Sequence, residues 1–168
     1  MTFKQSRLRD HIAAHGELVF GAIITRAHPE LGYLFEPPRH LGDKKRTIDF
    51  YIESASGGTR PSYFLAQVKS TIQGYTVRDA RLKVAIASGQ LERLAAYPAP
   101  TYAFGIDERS ERGYVVSANG ECLKGFSSMC TSYPLTSDVL AALHAEVERY
   151  WQYGAAGFRS GFIDDRWR

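Results

Sequence analysis

The chain has 168 residues, 44% of them hydrophobic and 23% charged, and a formal net charge of +3. That length fits one domain of roughly 100–200 residues, and the composition is that of a globular chain able to bury its own core, which excludes disorder and disulfide-dependent miniature folds. The small positive excess permits a polyanionic partner without requiring one.

The start, Met1 to Arg9, is basic but has no apolar h-region. The longest apolar run, Leu18 to Ile24, falls far short of the about 18 residues of a membrane span. The expectation is therefore a single cytoplasmic domain over residues 1–168 with no membrane partner. Cys122 and Cys130 fit buried thiols of a reducing compartment better than a disulfide.

In chain order, Leu8, Ile12, His15, Val19, Ala22 and Ile23 recur at three- and four-residue steps, which predicts an amphipathic helix weakened at Gly16 and closed by Pro29. Gly32 to Glu36 is short and aromatic, and Pro37-Pro38 interrupts any strand there. Arg39, His40, Lys44, Lys45 and Arg46 form a basic segment, by default a solvated loop. From Thr47 to Glu53 the alternation predicts a strand with Ile48, Phe50 and Ile52 on one face and Thr47, Asp49 and Tyr51 on the other. A Ser- and Gly-rich turn then leads into a second strand, Ser62 to Lys69, which the spacing predicts to pair with the first as an antiparallel hairpin.

From Val77 to Tyr97, the residues Ala80, Val84, Ala87, Leu91, Leu94 and Ala95 lie on one helical stripe that stops at Pro98 and Pro100. Thr101 to Ile106 and Gly113 to Ser117 read as strands around a polar turn, and Asn119-Gly120 as a further hairpin turn. Thr136 is placed to cap a last helix with Val139, Leu140, Leu143, Val147, Tyr150 and Trp151 on its apolar face. The predicted class is α/β, a mixed central sheet flanked by helices, with a C-terminal helix. Residues 154–168 carry no assignable pattern.

The chemistry-bearing constellation is Asp49 on one strand of the hairpin with Gln67 and Lys69 on the other. Gln67 and Lys69 are two apart and share a face, with Val68 on the opposite one. An acid, an amide oxygen and an ammonium that converge suit phosphodiester hydrolysis: a hard divalent cation takes oxygen ligands, and a lysine stabilises charge on the pentavalent centre.

Ile48-Asp49 followed by Gln67-Val68-Lys69-Ser70-Thr71 resembles the D…QxK variant of the PD-(D/E)XK nuclease superfamily motif. That variant is carried by Mrr-like restriction endonucleases and by a branch of small bacterial domains with a similar ID…QVKST pattern. The resemblance covers roughly residues 16–117. It implies an α-β-β-β-α-β core, Mg2+ or Mn2+ as cofactor, and DNA as the substrate class. Asp49 would be a metal ligand, Gln67 would stand where a carboxylate usually does, Lys69 would be the catalytic lysine, and the Val68 carbonyl would also reach the metal. Glu17 would supply the first-helix glutamate that many members place near the metal. The basic residues Lys44, Lys45 and Arg46 would lie beside the metal and hold phosphates. Ser70, Thr71 and Arg78, in the stretch Ser70 to Arg81 with Gln73, Tyr75 and Arg81, would form another nucleic-acid contact.

Two departures from the pattern are plain: Gln67 is neutral, which lowers the site's negative charge and its hold on a cation, and Ile48 replaces the proline of the motif's name. Two function classes within this fold therefore stay open, beside a third alternative, an unrelated α/β domain whose hairpin carries these residues by chance. One is a metal-dependent DNA endonuclease in defence or DNA processing, dimeric or with a partner protein if it cuts both strands. The other is a catalytically inactive module of the same fold that binds nucleic acid or a protein. A cross-strand ion pair is the bland reading of Asp49 and Lys69, and solvated surface groups that of His11, His15 and Glu17. There is no P-loop, GxGxxG, HExxH, CxxC or nucleophile elbow.

Overall fold

A computed structural model describes residues 3–42, 47–55, 61–119 and 125–167. The first helix, α1, spans Phe3–Ile24. Its buried side is Gly16, Val19, Phe20, Ile23 and Ile24, a stripe of three- and four-residue steps. The stripe expected from Leu8 onward is thus corrected: Val19 and Ile23 are on it, whereas Leu8, His15 and Ala22 are exposed. The helix ends five residues before Pro29, where the Thr25 hydroxyl donates to the Gly21 carbonyl at 2.8 Å.

Gly16 is less a weak point of α1 than its closest contact with the sheet. A Cβ built there would lie 2.3 Å from the Ser70 Cβ, so only glycine lets the helix approach this strand. The Ser70 hydroxyl completes the contact by donating to the Ile12 carbonyl at 2.8 Å.

After a small antiparallel ribbon of β1 (Ala27–His28) and β2 (Gly32–Tyr33), a five-stranded sheet is built from β3 (Arg39–His40), β4 (Phe50–Glu53), β5 (Tyr63–Thr71), β6 (Thr101–Asp107) and β7 (Arg112–Ser117). Their spatial order is the chain order. The β5–β6 pair is parallel and the others antiparallel, so the sheet is mixed and the α/β class expected from sequence is the observed one. Arg39 and His40, expected in a loop, pair with Tyr51 and Phe50 as an edge strand.

Alternating residues divide the core between the two faces of the sheet. Phe64, Ala66, Val68, Tyr102, Phe104 and Val115 pack with α1 and with the last helix, α3 (Ser137–Tyr153). Leu65, Ala103, Tyr114 and Val116 pack with α2 (Ser88–Ala95) and with Leu82, Val84 and Ile86. Ile48 joins this second cluster whereas Phe50 and Ile52 belong to the first, so the expected common face of those three does not form. The cause is a phase shift: Asp49 donates its backbone N–H to the Ala66 carbonyl at 2.9 Å although Ala66 stands opposite Phe50. Two consecutive residues thus face one, as in a β-bulge.

The helix expected from Val77 to Tyr97 is corrected to α2 alone. Residues 75–87 run as an irregular extended segment with bridges from Leu82 to Tyr75 and Met129 and from Ile86 to Phe126. Leu82, Val84 and Ile86 are buried while Lys83, Ala85 and Ala87 are exposed, a period of two. The β-branched Val84 and Ile86 favour that pleated arrangement, and the alanines that completed the helical stripe face solvent.

At the other end of the chain α3 begins where expected, with the Thr136 side chain accepting from the Val139 N–H. Beyond Gly154 the tail returns across the sheet: the Phe162 carbonyl accepts from Ser117 N–H at 2.7 Å. The tail then reaches a short 3-10 turn, Asp165–Trp167. Arg81, expected on a contact surface, is instead buried, paired with Asp164 and, at 2.6 Å, with Asp165, and bonded to the Ser128 carbonyl. Cys130 is a free, buried thiol in keeping with expectation, and Cys122 lies outside the described residues. Among the described residues no helix is long and apolar enough to cross a membrane.

Removing one partner of a buried pair leaves the other charge unsolvated, at a cost of about 3–5 kcal/mol. Arg81→Ala should lower unfolding free energy by that amount in urea titration. Arg78→Ala, at an exposed site, should change it by less than about 0.5 kcal/mol.

Candidate metal centre

β4 pairs with β5 only from Tyr63 to Ala66, while β5 runs on to Thr71 against β6. The residues of β5 beyond Ala66 therefore face a notch where the sheet has lost one neighbour. α1 closes that notch from one side, and the result is a cavity of about 540 Å³ lined by Glu17, Asp49, Val68 and Lys69, with Arg9 and Gln73 among its other walls. Residues from three separate segments of the chain meet here because of three local causes: the bulge at Asp49, the early end of β4, and the close seating of α1 at Gly16.

The Asp49 carboxylate accepts the Val68 backbone N–H at 2.6 Å. This bond replaces a ladder bond at the end of β4 and holds the carboxylate against the strand that carries Lys69. Burial raises the Asp49 pKa, and the Val68 N–H, Lys69 and His40 partly offset it. Glu17 is raised as well, first by burial and then by the negative charge of Asp49, with His40 and Lys69 opposing. His40 Nε2 lies 3.8 Å from the Glu17 carboxylate. Two carboxylates held together at the cost of desolvation and mutual repulsion form an oxygen-donor set suited to a hard divalent cation.

Gln67 is placed differently. It is only 1% exposed, lies on the strand parity of Leu65, and does not line the cavity. Its Oε1 is buried without a hydrogen-bond partner in the described structure. Such an oxygen is costly, about 1–3 kcal/mol, and sits on the residue immediately before Val68. The donor set around the cavity fits a hard cation through Asp49, Glu17 and the Val68 carbonyl.

Of the other sites expected to contact nucleic acid, Ser70 and Thr71 line the cavity, yet both side chains are engaged. Ser70 donates to Ile12, and the Thr71 hydroxyl accepts from Gln73 N–H at 3.0 Å. Arg78 is exposed and does not line the cavity. Lys44, Lys45 and Arg46 lie outside the described residues.

Sequence reasoning assigned His40 to a loop and missed that an edge strand brings it to the two carboxylates. It also passed over Asp164 and Asp165, which gather with Cys130 in a group whose ligand atoms lie within 4.8 Å. There the Arg81 guanidinium already pairs with both carboxylates, and burial pushes the Cys130 thiol up, so this group is an ion-pair cluster. The Ser54 hydroxyl lies 2.6 Å from His144 Nε2, but Glu148 approaches the same nitrogen at 3.9 Å. A relay needs the acid on the other ring nitrogen.

No family model, curated protein or solved structure matches the chain.

A carboxylate whose pKa is raised by folding binds its proton more tightly in the folded state, so its ionisation opposes folding above that pKa. The penalty vanishes below the ordinary carboxylate range of about 4, where folded and unfolded chains are both protonated. Glu17→Gln should therefore raise Tm at pH 7 and leave it unchanged near pH 3.5, as read by differential scanning calorimetry in metal-free buffer. A lower Tm at pH 7 would show that Glu17 is stabilised where it stands.

Proposed function

We propose that the protein is a metal-dependent phosphodiesterase that acts on DNA, built on a nuclease-like core of the PD-(D/E)XK kind. The observation that carries this reading is the convergence of Glu17, Asp49, Val68 and Lys69 on one cavity at the end of β4. The element order is also the one the motif implies: α1, the antiparallel strands β3 to β5, α2, then β6 parallel to β5.

In this reading Asp49, Glu17 and the Val68 carbonyl would hold Mg2+ or Mn2+, which when bound would polarise the phosphate and lower the pKa of an attacking water. Asp49 is kept in place by the Val68 N–H, so its carboxylate needs little reorganisation when a cation arrives. Lys69 lines the same cavity and acts electrostatically on both carboxylates, and its ammonium would stabilise the negative charge that builds on the phosphate as water attacks. Arg9, on the α1 side of the cavity, offers a second cation for the backbone.

A second reading is a non-catalytic module of the same core that binds nucleic acid or a protein. The burial of Gln67 away from the cavity favours it, because the site then lacks its third side-chain ligand.

Supercoiled plasmid incubated with Mg2+ or Mn2+ separates the two. The wild type should nick it, and Lys69→Ala should slow nicking by about 100-fold or more, the loss expected for one preorganised electrostatic group. Equal product from both proteins would end the enzymatic reading. Calorimetric titration with Mn2+ should show binding that Asp49→Ala removes, and heat that survives in Asp49→Ala would place the metal elsewhere.

A further inference from the structure

Glu17 belongs to two cavities. On its far side from Lys69, between α1 and the segment entering β3, lies a groove of about 630 Å³, within the roughly 300–1,000 Å³ of small-molecule sites. We propose that this groove receives an unpaired nucleobase next to the phosphate held at the metal centre, so that the substrate is single-stranded DNA or a strand with an everted nucleotide. This rests on the phosphodiesterase reading and adds the form of its substrate.

Three features select that occupant. The first is charge. The cavity on the Lys69 side is lined by Arg9 and Lys69 together with the carboxylates of Asp10, Glu17 and Asp49, whereas among the described residues the groove has Glu17 as its one carboxylate and no Lys or Arg. Cations able to meet a phosphate beside the proposed metal thus line one side of Glu17, and the described lining of the other side favours an uncharged group. The second is shape. Pro37, Pro38, the His40 ring and Phe50 provide flat walls, and His40 already stacks edge-on against Phe50 with centroids 5.3 Å apart. Such walls suit a planar heteroaromatic ring.

The third is vacancy. Leu18 on the opposite rim is 73% exposed. Gly21 on the floor has no heavy atom of the described residues within 4 Å of where a Cβ would stand. It lies in the last turn of α1, and its φ is not in the left-handed region that would call for glycine. Neither packing nor backbone geometry requires glycine there, and the effect of its missing side chain is a floor open to something outside the chain. A base in a duplex is stacked and paired and cannot enter a groove beside its own phosphate, so the nucleotide must be unpaired or turned out.

The test is fluorescence anisotropy with a labelled single-stranded DNA decamer, in Ca2+ to prevent cleavage, and the same decamer with one abasic position scanned along it. With the wild type, one abasic position should weaken binding about tenfold, the ratio that about 1.4 kcal/mol of base stacking gives. Gly21→Leu fills the groove; it should bind the intact decamer about tenfold more weakly and be indifferent to the abasic position, with Mn2+ affinity unchanged by calorimetry. Should Gly21→Leu lose its cooperative thermal transition, Leu18→Asp at the exposed rim carries the same expectation. Wild-type binding insensitive to every abasic position overturns the groove proposal even if plasmid nicking succeeds. So does a concentration-dependent dimer, seen in sedimentation, that the filled groove abolishes. Conversely, abasic discrimination without any metal-dependent nicking keeps the groove and removes the hydrolase.

Discussion

Everything at the candidate site depends on how closely α1 lies on β5. Gly16 and Ser70 set that distance: no side chain fits between helix and strand at this point, and the Ser70 hydroxyl ties the strand to the helix backbone at Ile12. Glu17 is the next residue on the helix, and Ser70 is the neighbour of Lys69. One contact therefore registers the helix carboxylate against the strand ammonium. Any larger residue at position 16 would tilt α1 away and open both cavities that Glu17 lines.

The second determinant is the way β4 ends. A regular strand would have continued its ladder past Ala66 and filled the space beside Val68 with backbone. The bulge at Asp49 turns the chain out of register, moves Ile48 to the opposite core, and leaves a carboxylate to satisfy the Val68 N–H. The resulting site is electrostatically taut. Burial and like charge push two acids toward protonation, and among the described residues Lys69, His40 and one amide oppose it. A fold with no use for such a pair would gain by losing one member.

Much of this was legible in the residues. The alternation around Phe50 and in Tyr63–Thr71 marked the hairpin that carries Asp49 and Lys69, and the stripe from Leu140 to Tyr150 with Thr136 ahead of it marked α3. What failed did so for physical reasons. Residues 77–87 satisfy a helical stripe through alanines and a pleated one through Leu82, Val84 and Ile86, and pattern alone does not say which set will be buried. The inversion at Ile48 arises from one bulged residue, for which no composition cue exists. Gln67 follows the right parity, but parity does not tell whether the edge of a sheet is open or covered at that level. Nor does a charged residue such as Arg81 announce burial, since its partners come from the far end of the chain.

That distance in sequence matters for how the chain is made. Arg81 and Asp164 are 83 residues apart, so the acid is made well after the guanidinium it neutralises. Until then a guanidinium waits at the edge of the α2-side core with no counter-ion, and the strands it underpins are without their final brace. The pair, and the brace it gives the tail against the α2-side core, therefore cannot form before the chain has been made through Asp164.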